Sequence, residues 1–148
     1  MINSTKMRGG NILRLWHYKL LPYLPKAMLV SGWRECIAIK RQWEKGKLKH
    51  RLVSYVMDHN KEFFIEYVWQ VRYRMSERNI KYQNKYYDEI LAFCESDINE
   101  DGYYELYPEH NDRYLKQCLY NLQEKADRGI ITQEEWQLIY DNFKEYLD

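Results

Sequence analysis

The pattern of apolar and polar positions predicts a chain built from helices. The most informative stretch, residues 28–41, reads as one amphipathic helix. Its apolar side carries Met28, Leu29, Cys36, Ile37 and Ile39. Arg34 and Glu35 stand side by side within this apolar segment. A charged side chain near a buried face costs free energy, so it is usually paired with an opposite charge or takes part in function. The two residues therefore form either a rim ion pair or part of a functional site.

Two prolines divide the start of the chain. Residues 13–25 form a short apolar segment in which Pro22 and Pro25 each limit the helix before them. Pro25 suits the first turn of the next helix, which we expect to extend to about Trp43. A basic linker over residues 44–51, broken by Gly46, leads to a short helical element.

Two apolar patterns of helical spacing follow this linker. The first starts at a cap provided by Asp58 or Asn60 and includes the apolar positions Phe64, Tyr67, Val68, Val71 and Met75. The second covers residues 85–96, with Ile90, Leu91 and Cys94 facing inward. The loop after it starts like a calcium loop over residues 97–102, but the twelfth position is Pro108 where a glutamate is needed, so a plain turn is the simpler interpretation.

The last third of the chain predicts two more helices. Asn111 or Asp112 caps the first, which ends at Gly129 and carries an apolar stripe of Tyr114, Leu115, Cys118, Leu119 and Leu122. The capping box that starts at Thr132 opens the second, with Trp136, Ile139, Tyr140, Phe143 and Leu147 inward. No stretch alternates as a strand does. The predicted fold class is therefore all-α, with a single compact helical domain over residues 13–148.

Composition and charge narrow the functional classes. Apolar residues make up 45% and aromatic residues 16% of the 148 residues, which indicates a folded protein. Residues 1–60 carry twelve Lys and Arg against three Asp and Glu, whereas the remainder carries eleven against nineteen. The front half is therefore a candidate surface for a polyanion, although a solvated face gives the same pattern. Residues 1–12 lack periodicity, and we expect them to be disordered.

Cysteine usage and hydropathy point to a cytoplasmic protein. The three cysteines, Cys36, Cys94 and Cys118, are odd in number and lie among apolar neighbours, as free thiols in a reducing compartment do. No Cys and His spacing matches a zinc site, and no apolar run is long enough to span a membrane. We expect neither a metal nor a cofactor.

Several short motifs resemble the pyrimidine-dimer DNA glycosylase family. They are Leu-Arg-Leu-Trp-His from residue 13, Trp-Arg-Glu-Cys from residue 33, Lys-His at residues 49–50 and Tyr-Pro-Glu-His-Asn-Asp-Arg-Tyr-Leu from residue 107. The likeness is greatest to a branch of small bacterial and phage proteins and covers about residues 13–125. The Arg34–Glu35 pair is its most specific part.

The resemblance implies a DNA glycosylase with an associated lyase activity on duplex DNA damaged by ultraviolet light. In the family, the amine at the start of the chain attacks the sugar of the damaged nucleotide and forms an imine, after which β-elimination cuts the strand. The matching glutamate is Glu35, which would stabilise the cationic sugar and shuttle protons. Arg34 matches an arginine that would hold the DNA backbone or a flipped base.

The position of the amine predicts a start at residue 13. Leu13 stands where the relatives begin with methionine, and a TTG codon for leucine also serves as a bacterial start codon. Codons for Arg8, Gly9 and Gly10 can resemble a ribosome-binding site. We therefore expect translation to begin at residue 13, with its amine as the nucleophile, whereas a genuine disordered extension remains the alternative. Arg14 would hinder removal of the first residue.

Basic residues of the front half are the predicted DNA contacts: Arg14, His17, Arg34, Lys40, Arg41, Lys49 and His50. A solvated loop is the alternative for the linker lysines, and a structural hydrogen bond for His17. Two departures from the family concern the substrate: Ala38 replaces a second family arginine, and the aromatic tail of the family is not recognisable. We expect a monomer. Two other functions stay open: a DNA-binding protein that lost its nucleophile, and a small protein-interaction module.

Overall fold

The computed structural model describes residues 14–95 and 106–147. Within these ranges the chain forms five α-helices: α1 Lys26–Glu44, α2 Lys61–Glu77, α3 Asn84–Cys94, α4 Asp112–Asp127 and α5 Gln133–Phe143. Short 3₁₀-helices cover Tyr18–Tyr23, Ser54–Asp58 and Lys144–Tyr146. The described ranges contain no strand, so the predicted all-α fold is confirmed.

Local sequence signals set the helix ends. Asn60 caps α2 by accepting from the Glu62 N–H, and Asn111 caps α4 by accepting from the Tyr114 N–H. Thr132 and Glu135 form the predicted reciprocal capping box of α5. Gly46 follows α1 with φ of 70° and Gly129 follows α4 with φ of 76°, a left-handed conformation that glycine adopts without strain.

The two early prolines behave differently from the prediction. Pro22 lies inside the first 3₁₀-helix instead of ending it. Pro25 is the residue before α1 and not part of its first turn, and its carbonyl accepts from the N–H groups of Met28 and Leu29. The guanidinium of Arg78 donates to the carbonyls of Leu21, Pro22 and Leu24 and so satisfies the end of the 3₁₀-helix, which proline leaves with fewer internal bonds.

Helix α2 lies at the centre of the core. It contacts α1, α3 and the first two 3₁₀-helices, and its five predicted apolar positions are all buried. Helix α5 packs on α4 and on the first 3₁₀-helix. This packing leaves residues 14–17, which have no regular structure, between α1, α2 and α4.

The burial of the cysteines and of several apolar side chains can be compared with the prediction. The thiols of Cys36, Cys94 and Cys118 are buried. Met28, Ile37, Leu91, Trp136, Tyr140 and Leu147 were predicted to face inward but are only partly buried. No helix in the described ranges is long and apolar enough to cross a membrane. The calcium-like stretch over residues 97–102, the extension over residues 1–12 and Leu13 lie outside the described residues.

Candidate active site

The backbone of Arg14 meets the carboxylate of Glu35. The Arg14 N–H donates to Glu35 Oε2 at 2.9 Å, across 21 residues of sequence. Ser31, one helical turn before Glu35 on α1, places its Oγ 3.4 Å from the other carboxylate oxygen. Because α1 is a long helix anchored in the core by Leu29 and Ile39, the carboxylate is held on a rigid element.

Burial makes Glu35 an unusual carboxyl group. Removal from water raises its pKa to about 7, against the lowering effects of the Arg14 backbone N–H, the Ser31 hydroxyl and the charges of Arg14 and Lys125. A group with this pKa is present in both protonation states near neutral pH. It can therefore both give and take a proton, as general acid–base chemistry requires.

Two tyrosines hold the backbone next to Arg14. The Tyr114 hydroxyl on α4 donates to the carbonyl of Leu15, and the Tyr67 hydroxyl on α2 donates to the carbonyl of Trp16 at 2.6 Å. Tyr67 is 1% exposed, and burial raises its pKa well above the usual value, so it stays a donor. The side chains of Leu15 and Trp16 are themselves buried.

His110 continues this arrangement by one residue. Its Nδ1 accepts from the Tyr18 N–H at 3.1 Å, so its proton is on Nε2, which donates to the Tyr55 hydroxyl oxygen at 2.7 Å. Burial, and then the positive charge of protonated His17, lower the pKa of His110 to about 3. His110 therefore stays neutral. It links the loop before α4 to the start of the first 3₁₀-helix, and Asn111, the next residue, caps α4.

His17 does not lie where a phosphate could reach it. Its side chain is 1% exposed, and its Nδ1 accepts from the Lys19 N–H at the start of the 3₁₀-helix. Burial is the main cause that lowers its pKa to about 4. The predicted DNA contact of His17 is therefore corrected to the structural hydrogen bond that was its alternative.

Arg34 faces away from Glu35. It is exposed and borders an open cleft of about 460 Å³ on the other side of α1. The cleft is lined by Val30, Trp33, Arg34, Ile37, Ala38, Arg41, Met75, Lys81, Tyr82, Gln83 and Tyr86. Three cations and three aromatic rings around one cleft suit phosphates and nucleobases. The two neighbouring charges are thus not a rim ion pair.

The other predicted DNA contacts divide into two groups. Lys40 is nearly buried and its Nζ binds Glu44 at 2.9 Å within α1, so a free phosphate-binding role for Lys40 is not supported. Arg41 is exposed, beside the ring of Tyr86 at 5.5 Å. Lys49 is exposed and His50 partly exposed in the linker after α1, where phosphate contacts stay a prediction.

Sequence reasoning missed several residues of the site. Tyr67 and Tyr114 were assigned to apolar packing positions, and His110 was noted only as part of the motif that begins at residue 107. Ser31 and Lys125 were not singled out. Only Ser31 had a usable signal, since it lies four residues before Glu35 on the same helix face. The others lie 51–99 residues from their backbone partners or in a different helix, which no local pattern reveals.

Comparison with known proteins places this geometry in a family. The model of the pyrimidine dimer DNA glycosylase family matches residues 13–88, which is half of the chain and includes Arg34, Glu35 and Tyr67. The chain belongs to the pyrimidine dimer DNA glycosylase family. The similar motif at residues 107–115 lies outside the matched range. No curated protein and no solved structure matches the chain.

Family membership implies a DNA substrate and, broadly, glycosylase chemistry on pyrimidine dimers. The described residues contain no group of three His, Cys, Asp or Glu side chains that could hold a metal ion.

Proposed function

We propose that the protein is a DNA glycosylase with an associated abasic-site lyase activity, acting on pyrimidine dimers in duplex DNA. An amine at the start of the folded domain is the nucleophile, and Glu35 is the general acid–base. The observation that carries this proposal is the 2.9 Å hydrogen bond between the nitrogen of residue 14 and the Glu35 carboxylate. It puts a backbone nitrogen beside the group with the pKa suited to proton transfer.

The nitrogen of residue 14 becomes a nucleophile only as a chain terminus. In a longer chain it is an amide, and resonance with the carbonyl removes its lone pair. A free α-amine has a pKa of about 7.7–8.0, so a useful fraction is neutral at cellular pH. The chemistry therefore needs one of two chain starts. In a chain that starts at residue 13, where the family match begins, the nucleophile is the amine of residue 13, one residue before the amide nitrogen that binds Glu35. In a chain that starts at residue 14, the nitrogen beside Glu35 is itself the nucleophile.

The proposed reaction uses the amine and Glu35 in turn. The amine nitrogen bonds to C1′ of the damaged nucleotide as the bond from C1′ to the base breaks. Glu35 then assists the proton transfers that open the sugar to an imine. In the lyase step a base, which we assign to Glu35, removes a proton from C2′, and the 3′ phosphate leaves. The carboxylate also stabilises the positive charge that develops on the sugar.

The cleft on the other side of α1 supports DNA binding. Arg34, Arg41 and Lys81 bring three positive charges to it, beside Trp33 and Tyr86. We assign Arg34 and Arg41 to contacts with the phosphate backbone or an exposed base, and Arg14, Lys49 and His50 to further backbone contacts. Because the carboxylate, residue 14 and the cleft belong to one chain, a monomer in the cytoplasm is sufficient for the proposed activity.

Borohydride trapping tests the proposal. Proteins that start at residue 13, at residue 14 (released from a cleavable fusion) and at residue 1 would be incubated with ultraviolet-irradiated and with abasic duplexes. We expect a covalent adduct from a shortened protein and none from the 148-residue chain, with Glu35→Gln abolishing it. The intact mass of the adduct identifies which residue carries the amine.

Two outcomes would change the proposal. An adduct on abasic DNA alone would keep the lyase and remove the dimer as substrate. No adduct from any version, with salt-sensitive DNA binding retained, would leave a DNA-binding protein on this scaffold. The second candidate has its own support, because the residue-14 nitrogen of the 148-residue chain is an amide.

A further inference from the structure

Four side chains hold residues 14–18 by their backbone. Glu35 accepts from the Arg14 N–H, Tyr114 donates to the Leu15 carbonyl, Tyr67 donates to the Trp16 carbonyl, and His110 accepts from the Tyr18 N–H. These residues come from α1, α2, α4 and the loop before α4. We call Tyr67, Tyr114 and His110 the backbone cradle.

From this arrangement we propose that Tyr67 and Tyr114 are positioning residues that fix the nitrogen of residue 14 against Glu35. The inference rests on the proposed function. It names the side chains that hold the start of the domain, and with it the proposed amine nucleophile, beside Glu35. Neither tyrosine was assigned a role by the sequence, and Tyr114 lies beyond the residues matched by the family model.

The first argument concerns hydrogen-bond partners for the backbone groups of residues 14–17. Residues 14–17 belong to no helix, so their polar groups need partners from elsewhere when they are buried. A phenylalanine would fill the volume of Tyr67 or Tyr114 equally well. Each hydroxyl therefore adds one specific feature to the core, a hydrogen bond to a carbonyl of this segment.

The second argument is geometric. The carbonyls of Leu15 and Trp16 follow residue 14 directly, and the peptide planes that contain them are rigid. Fixing two successive planes leaves the chain little freedom to swing residue 14 away from Glu35. A displacement of about 1 Å at a reacting group costs about 100-fold in rate, so this restraint matters more for chemistry than for folding.

Tyr107 offers a matched control. An aromatic cluster surrounds the ring of His110 and consists of Tyr55, Tyr67, Tyr107 and Tyr114. The ring of Tyr107 lies 5.3 Å from that of Tyr55, and Tyr107 is 3% exposed. Its hydroxyl is buried without a hydrogen-bond partner among the described residues. Tyr107→Phe thus removes a buried hydroxyl from the same region without touching residues 14–18.

The experiment compares Tyr67→Phe, Tyr114→Phe, the double variant and Tyr107→Phe in a protein that starts where trapping succeeds. Adduct formation is measured in a single turnover at saturating abasic duplex, together with the dissociation constant for DNA and the thermal midpoint. We expect the double variant to lose about 10- to 100-fold in rate at unchanged DNA affinity. Tyr107→Phe should keep the wild-type rate.

The rate is measured well below every thermal midpoint, so a merely structural role would lower the midpoint and leave the rate alone. A double variant that reacts as fast as the wild type would overturn the proposal. If Tyr107→Phe slows the reaction equally, the effect belongs to the aromatic cluster and not to the backbone bonds, and the proposal is again wrong.

A second readout separates this inference from the proposed function. In the 148-residue chain, carbon-13 titration of the Glu35 carboxyl reports the bond from the Arg14 N–H, which lowers the pKa of that group. The double variant should raise the pKa above the wild-type value. An unchanged titration would refute the cradle even where trapping works. A raised pKa without any trapping in the wild type would instead show that the cradle exists and that the proposed function is wrong.

Discussion

Two faces of helix α1 show how far the rotation between successive residues can separate neighbouring side chains. Arg34 and Glu35 are neighbours in sequence, yet successive residues of a helix point about 100° apart. Glu35 faces residues 14–17 and is largely removed from water, whereas Arg34 faces an open cleft with two other cations. One rigid helix thus holds a carboxyl group of raised pKa apart from three cations that line a cleft. Of the two interpretations that the sequence left open, the rim ion pair is excluded.

The largest expected effect is on the Glu35 side. Glu35→Gln keeps the shape but cannot exchange a proton, so we expect adduct formation to fall by about 100- to 10,000-fold. DNA affinity should stay within a few-fold of the wild type, because Arg34 and the cleft are untouched. Glu44→Gln, on the same helix, is the control. Equal rates for Glu35→Gln and the wild type in single-turnover trapping would contradict the assignment.

The same carboxyl group should shape the pH dependence of stability. Its folded pKa of about 7 lies above the ordinary value of 4.5 for a glutamate, so its contribution to stability is fully present below pH 4.5 and is lost as the pH rises through 7. That loss amounts to about 3 kcal/mol as an upper estimate. Glu35→Gln should therefore gain stability relative to the wild type between pH 4.5 and 8.

Denaturant unfolding at several pH values measures this difference. Arg34→Gln is the matched change on the exposed side, and it should shift stability equally at all these pH values. A Glu35→Gln variant whose stability runs parallel to that of the wild type would show that the carboxyl is not held as the structure describes.

A smaller effect is expected from the cleft side. Arg34→Ala and Arg41→Ala should each reduce the salt dependence of DNA binding by about one unit of slope, since each removes one cation from the phosphate contacts. The trapping rate at saturating DNA should not change. Fluorescence anisotropy over a salt series checks the slope. If either variant slows trapping but leaves the salt slope unchanged, that arginine takes part in the chemistry and not in phosphate binding.

The smallest effect is expected at a position that belongs to neither side. Thr132→Ala removes half of the capping box of α5 and should cost about 1 kcal/mol of unfolding free energy. Trapping and DNA affinity should be unaffected, because α5 packs on the first 3₁₀-helix and contributes no residue to the proposed site. Thermal unfolding measures the loss. Reduced activity in fully folded protein would mean that α5 takes part in the site.

Local chemistry in the sequence explains what could be predicted. The caps at Asn60, Asn111 and Thr132 and the glycine at position 129 act within a few residues, and the structure confirms them. Glu35 could be singled out because a carboxyl group in an apolar helix is costly. The burial that raises the pKa of Glu35 could not be predicted, because it depends on the distant segment around residue 14 packing against this carboxyl group.

The failures have the same physical origin. His17 looked like a phosphate ligand because sequence shows its chemistry and not its 1% exposure. The hydrogen bonds of Tyr67 and Tyr114 depend on partners 51 and 99 residues away. The local sequence around a tyrosine does not show whether its hydroxyl reaches such a partner. The buried hydroxyl of Tyr107, for example, has no hydrogen-bond partner among the described residues.

The backbone cradle also has a consequence for the order in which the molecule is made. The contacts that hold residues 14–18 span 21, 51, 92 and 99 residues, so the start of the domain cannot settle until α4 has been synthesised and docked. Contacts of such separation form slowly, because a long loop must close first. The backbone of residues 14–18 is synthesised before any of the five α-helices, yet it gains the last of these four contacts only after residue 114 has been made.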